Sequence, residues 1–183
     1  MKLLVKARSE NKLKRNIGVL GGTFDPPHKG HVKISKEAKK KFNLTKVFWA
    51  ITKKNPFKQK SSLTLKDRIK YSKKINLRNK FITINCYEDK IKSNRTIDLI
   101  KYFKKKNKNI NIYFIMGADN LINFHKWKDW KKISNMCKIL VFDREKYKSR
   151  SLKSLSYKKL SKKGLKFIKF NKVNISSSKL REI

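Results

Sequence analysis

Cysteine is nearly missing from this sequence: Cys86 and Cys137 are the only two in 183 residues. No Cys or His spacing around them completes a set of metal ligands, which argues against a disulfide scaffold and an ordinary zinc site and for a reducing compartment. Long apolar runs are missing as well. No stretch approaches the roughly 18 to 20 apolar residues that a membrane span takes. Near the amino end only Leu3, Leu4 and Val5 adjoin, too few for a signal-peptide core. We therefore expect a cytoplasmic protein with no membrane partner. Negative charge is the third scarcity. Twelve Asp plus Glu stand against 51 Lys plus Arg, for a formal net charge of +39, a balance that first suggests nucleic acid. The fourth scarcity, arginine, argues against that reading. Only eight basic residues are Arg, at 8, 15, 68, 78, 95, 144, 150 and 181, and the lysines are scattered beside abundant Asn and Ile. Lys, Asn and Ile share A/T-rich codons, so the pattern fits a compositional bias of the genome, whereas base-specific recognition favours clustered Arg. No specific nucleic-acid partner is expected, but a field of this sign steers small acidic ligands.

The length suits one well-cored domain. We take residues 1–15 as a basic extension and 16–183 as a single domain. Its informative stretch is Gly21-Gly22-Thr23-Phe24-Asp25-Pro26-Pro27-His28-Lys29-Gly30-His31. It follows the apolar run Ile17 to Leu20, which reads as a buried strand. It precedes Val32 to Phe42, where Val32, Ile34, Ala38 and Phe42 make the broken stripe of a helix. A glycine turn between strand and helix lets backbone approach a phosphate, and the helix start offers free N–H groups and a positive dipole end. His28 and His31, three apart at that start, fall on neighbouring positions of one face, and imidazole can serve a phosphate near pH 7. A metal pair and a plain capped turn are the alternatives. Zinc would need two further ligands, and His125, Cys86 and Cys137 are isolated.

Further along, Val47 to Ile51 reads as a strand buried on both faces because it does not alternate. The polar loop after it carries Asn55-Pro56-Phe57-Lys58. Thr64 caps a helix to Ile75, Phe81 to Ile84 is a short strand, and Asn94 to Lys105 is a helix with Ile97, Ile100 and Phe103 on one face. Asn111 to Met116 is a fourth strand, ending in Gly117-Ala118-Asp119-Asn120. There glycine permits close ligand approach, and Asp119 can accept from ribose hydroxyls or anchor the loop. Leu121, Phe124, Trp127, Trp130 and Ile133 then recur every three residues, a helix-like core stripe. Lys138 to Phe142 is a fifth strand, residues 145–163 a loop with one helix, and Leu165 to Phe170 a last strand. In the tail, the serines from Ser176 to Ser178 open a helix whose Arg181 lies on the face that Ser177 and Ser178 begin, an arrangement that suits an anion. Strands joined by helical crossovers give an α/β, Rossmann-like, mainly parallel sheet flanked by helices, with its ligand crevice at the carboxyl ends of the strands.

The eleven-residue motif resembles the signature of the His-x-Gly-His nucleotidyltransferases, and its doubled proline before His28 is most similar to the bacterial nicotinate-nucleotide adenylyltransferases. Two more segments carry the same resemblance. The run from Gly117 to Ile133 looks like that family's second signature, and Ile175-Ser176-Ser177-Ser178-Lys179-Leu180-Arg181 is similar to the closing segment of the superfamily. The resemblance spans Asn16 to Arg181. It implies transfer of AMP from ATP to nicotinate mononucleotide, with Mg²⁺ arriving on the ATP. Residue by residue, it implies that Gly21, Gly22, Thr23, Phe24, His28, His31, Gly117, Asp119, Ser176, Ser177, Ser178 and Arg181 bind ATP. His28 and His31 would act catalytically. Asn55, Lys58, Thr96 and Trp127 would hold the mononucleotide, with Trp127 stacked on the pyridine ring and Trp130 used in packing. The family often has an aromatic where Arg95 stands and a Thr where Leu99 stands. Two rivals remain. Pantetheine-phosphate adenylyltransferases share the closing serines, but usually have Thr at the place of His28 and lack the segment leading to Trp127. A Lys-rich nucleic-acid-binding protein would explain the charge but not the histidines.

Overall fold

Six apolar runs, short and rich in β-branched and aromatic side chains, pair into one sheet. The computed structural model of the protein describes residues 14–54, 61–107, 109–144 and 146–169. The strands are β1 (Arg15–Gly22), β2 (Lys46–Ile51), β3 (Ile82–Asn85), β4 (Ile110–Gly117), β5 (Lys138–Phe142) and β6 (Leu165–Ile168). Every neighbouring pair is parallel, in the order β3-β2-β1-β4-β5-β6. The chain winds outward from β1 to β3, then returns to the middle and winds the other way from β4. At the β1–β4 seam the connections depart in opposite directions, which opens a crevice beyond the carboxyl ends of these two strands.

The helices are α1 (Lys29–Phe42), α2 (Leu65–Ile75), α3 (Glu88–Ile91), α4 (Thr96–Lys106), α5 (Ala118–Asn123), α6 (Trp130–Met136), α7 (Lys148–Leu152) and α8 (Leu155–Leu160), with a 3-10 turn at Phe124–Lys126. They cover both faces of the sheet, and this is why the strands do not alternate in polarity. Along β4, Ile112, Phe114 and Met116 join a core with Ile100, Phe103 and Ile133, while Tyr113 and Ile115 join a second core with Ala38, Leu44 and Trp49. Each large apolar side chain so buried stabilises the fold by about 1.5 to 3 kcal/mol relative to exposure. The second core closes tightly on β1. A Cβ at Gly18 would lie 2.9 Å from Leu44 Cδ1 and 3.0 Å from Ile115 Cδ1. The helix ends carry ordinary signals: Thr64 Oγ1 accepts from Asp67 N at 3.1 Å to start α2, and Asn43, left-handed at φ 47°, stops α1 after Lys39, Lys40 and Lys41.

Four expectations need correction. β1 runs through Gly21 and Gly22, which pair with Ala50 and Ile51, so the glycines end the strand rather than form a turn. The stripe from Leu121 to Ile133 is not one helix. Trp127 N donates to Phe124 O at 3.0 Å and Trp130 N to Trp127 O at 3.1 Å, three residues back each time, and Asp129 is left-handed at φ 55°. A spacing of three throughout, without the fours of an α-helix, is the period of such tight turns. Within the stretch expected to be a loop with one helix, residues 146–163 hold two short helices, α7 and α8, and α3 is a single turn of helix that the sequence did not announce. β6 stops at Ile168. Among the described residues no helix is long and apolar enough to cross a membrane.

Candidate active site

After Thr23 the chain leaves β1 through Phe24, which is left-handed at φ 51° and buried. Its ring stacks on Trp49 at 4.7 Å and 19°, and meets the His31 ring at 4.7 Å. Trp49 Nε1 donates to Ser35 Oγ at 2.8 Å, and Ser35 Oγ donates to His31 O at 2.9 Å. The position of His31 is thus set from both sides. His28 is the N-cap of α1, with extended backbone, and lies just outside the helix rather than on its face. Its Nδ1 accepts from Gly30 N at 3.1 Å, while its own backbone N–H donates to His31 Nδ1 at 3.2 Å, a reciprocal capping pair. The two rings come together at 3.9 Å between centroids. A ring nitrogen that accepts carries no proton, so in the neutral form each imidazole keeps its proton on Nε2 and can donate there. His28 stays neutral: burial first, and the positive charge of Arg144 second, push its pKa down to about 4. The capped turn and the donor pair are therefore one structure, in which Nδ1 of each ring serves the helix and Nε2 carries the proton.

Across the seam, β4 ends at Gly117. Asp119 on α5 folds back so closely that a Cβ on Gly117 would sit 2.5 Å from its Oδ1. Arg144, just past β5, donates from Nη1 to Asp119 Oδ2 at 2.7 Å, and its guanidinium lies 5.7 Å over the Tyr147 ring. Of the two roles expected for Asp119, the geometry displays the anchoring one. Arg144 was missed in the sequence. An arginine at the carboxyl end of the fifth strand, in a chain whose basic residues are mostly lysine, was the available signal.

On the other side of β1 a cavity of about 330 Å³ opens between Gly21, Gly22 and Thr23, the end of β2, Thr96 at the start of α4, and Trp127. Trp127 is held edge-on by Phe124 at 5.2 Å and Phe114 at 6.1 Å. Trp130 meets Phe124 edge-on at 6.1 Å, against the core and outside the cavity lining. Glu88 accepts from the Thr52 hydroxyl and from Lys53 N, the latter at 3.1 Å, and Lys53 pairs with Asp89. These bonds fasten β2 to α3. Tyr87, beside them, is buried enough to push its phenol up to about 12. The cavity thus collects Gly21, Gly22, Thr23, Thr96 and Trp127. Phe24, His28, His31, Gly117 and Asp119 lie outside its lining, toward the seam. Asn55, Lys58, Ser176, Ser177, Ser178 and Arg181 fall outside the described residues.

The two zones share a brace that the sequence did not reveal. Arg68 on α2 is 2% exposed. Its Nη1 donates to Thr23 O at 2.7 Å and Thr52 O at 2.8 Å, its Nη2 to Lys53 O at 3.2 Å and its Nε to Leu63 O at 3.2 Å. Nearby, the buried carboxylate of Asp25 accepts from Ser62 N at 2.8 Å and Leu63 N at 3.0 Å. One planar guanidinium thereby satisfies carbonyls at the ends of both β1 and β2, a task for which the lysine point charge is ill suited. Sequence spacing could not show this, because the partners lie 5 to 45 residues away.

Comparison with known proteins matches residues 19–183 to the cytidylyltransferase-like family. A probable nicotinate-nucleotide adenylyltransferase of Pelagibacter ubique is 60% identical over 173 residues, covering 94% of this chain and 96% of that protein. The chain belongs to the nicotinate-nucleotide adenylyltransferase family. A second member, the probable enzyme of Rhizobium meliloti, is 36% identical over 129 residues, 70% of this chain and 68% of its own. Among solved structures, Plasmodium falciparum nicotinic acid mononucleotide adenylyltransferase, complexed with NaAD, superposes with a TM-score of 0.71 at 20% identity. It covers 92% of this chain and 83% of its own, a likeness of fold. Membership makes this protein a nucleotidyltransferase, and the family's Rossmann-like parallel sheet is the one described above.

Proposed function

We propose that the protein transfers AMP from ATP to nicotinate mononucleotide, releasing pyrophosphate and forming deamido-NAD, with the histidine seam receiving the triphosphate and the cavity the mononucleotide. The observation that carries this reading is the position of β1. Its last residues form one wall of the Trp127 cavity and lead directly into the His28–His31 pair. A phosphate at that junction lies next to both.

The chemistry needs no covalent nucleophile from the protein. An oxygen of the mononucleotide phosphate attacks the α-phosphorus in line, one P–O bond forms, and the bond to the departing pyrophosphate breaks. The two Nε2–H donors are pre-set by their Nδ1 bonds and would hold phosphate oxygens as negative charge gathers on them. Trp127 offers an electron-rich indole face to a pyridinium ring. Arg144, fixed by Asp119, adds positive charge near His28. By resemblance, Asn55 and Lys58 would bind the mononucleotide, and Ser176, Ser177, Ser178 and Arg181 would grip the ATP phosphates. Among the described residues no three His, Cys, Asp or Glu side chains converge. A divalent cation arriving with ATP would neutralise phosphate charge at this site.

Pyrophosphate release with ATP and each of nicotinate mononucleotide, nicotinamide mononucleotide and phosphopantetheine tests the reading. Turnover should be fastest with nicotinate mononucleotide. Turnover with phosphopantetheine alone would move the protein to the rival branch of the superfamily.

A further inference from the structure

We propose that Arg95 is the side chain by which the cavity tells a pyridine carboxylate from the corresponding carboxamide. The inference rests on the adenylyl-transfer reading above and names the specificity element within it.

Four charged side chains line the cavity: Lys54, Glu88, Arg95 and Lys128. Glu88 is engaged by Thr52 and Lys53. Arg95 occupies the N-cap of the 11-residue helix α4, and it contradicts what that position ordinarily requires. N-caps are Ser, Thr, Asp or Asn, because an acceptor must meet the free amides of the first turn. A guanidinium has no acceptor, and no side-chain cap bond forms here. Its charge also sits at the positive end of the helix dipole, where a cation destabilises. Local rules are broken in this way chiefly where function compensates.

The surroundings leave the conflict in place. Ser93 Oγ accepts from Arg95 N at 3.1 Å and donates to Asp98 Oδ2 at 2.8 Å, and Asp98 lies 3.8 Å from Lys101. Arg95 is exposed at the cavity mouth, and among the described residues its guanidinium has water rather than an ion pair or side-chain cap bond to meet it. A ligand carboxylate resolves all of this together. Its two oxygens match the parallel N–H groups of the guanidinium fork, and its charge suits the helix start. A carboxamide presents one oxygen and an NH₂ group, and the NH₂ would face donors only. Lys54 and Lys128 carry charge on flexible stems without that fork, so they attract any anion and distinguish these two groups less.

The test is the ratio of kcat/KM for nicotinate mononucleotide to that for nicotinamide mononucleotide, at saturating ATP, in the wild-type protein, Arg95→Gln and Arg95→Lys. Arg95→Gln should lower the ratio about tenfold or more, through a higher KM for the acid, and Arg95→Lys should fall between. The melting temperature of Arg95→Gln should hold or rise, since a cation leaves the helix start. A ratio unchanged within twofold would overturn the proposal. So would an equal loss on both mononucleotides, which would place Arg95 on the shared phosphate. Failure of the wild-type protein to release pyrophosphate with either mononucleotide would overturn the adenylyl-transfer reading and this inference with it.

Discussion

The two halves of the site are built on different length scales. The histidine turn is local: His28, Gly30 and His31 hold one another through bonds spanning two or three residues. The cavity is assembled from afar. Its walls come from β1, β2, α3, α4 and the turn at Trp127, and the ends of β1 and β2 are joined by a single side chain on α2. A local device keeps its geometry wherever its short segment folds. A distributed one depends on the sheet and on its braces.

Arg68→Ala breaks the distributed half most directly. It leaves four part-buried carbonyls without their donor and removes the buried charge facing Asp25, so we expect a loss of about 3 kcal/mol of stability by urea unfolding. A loss under 1 kcal/mol would mean that water replaces the guanidinium and that the brace is dispensable. Next in size, His28→Ala or His31→Ala should each lower kcat by about 10², through lost transition-state stabilisation. The fold should persist, with at most about 1 kcal/mol lost from the missing cap in the His28 variant. Near-normal turnover in both would reduce the local half to a helix start.

Trp127→Ala should cost roughly 1 to 3 kcal/mol in mononucleotide recognition, whereas Trp130→Ala should act on stability alone. Equilibrium binding beside thermal melting distinguishes them, and exchanged outcomes would move the cavity wall. The smallest effect concerns pH. Unfolded His28 titrates near 6.5 and folded His28 near 4, so between those values the unfolded state holds more protons. Stability therefore falls as pH drops through that window and is unaffected above it. The wild-type protein should lose more melting temperature than His28→Asn between pH 7 and pH 5. Parallel curves would show that the ring is more open to solvent than its neighbours imply.

What could be read from the sequence follows the same division. The turn from His28 to His31 could be read because the bonds among His28, Gly30 and His31 lie within it, and the parallel sheet followed from apolar runs joined by helical crossovers. Phe24 as the left-handed residue, in place of a glycine, was not visible. Its conformation is sustained by Trp49, which arrives from the next strand. Arg68 and Arg144 looked like two more cations among 51, and only tertiary structure brings carbonyls to one and Asp119 to the other. The stripe at Trp127 was read with the right residues and the wrong period. Spacing alone does not show that Asp129 turns left-handed.

The reciprocal bonds of His28 and His31 also bear on what can be made to inhibit this protein. With both Nδ1 atoms bonded to backbone amides and His28 neutral, the other ring nitrogen of each histidine carries a hydrogen and no lone pair. Compounds directed at the seam should therefore carry acceptors there, such as sulfonyl, phosphonate or carboxylate groups. An amine or amidine, usually attractive to a histidine pair, would meet two donors and the charge of Arg144.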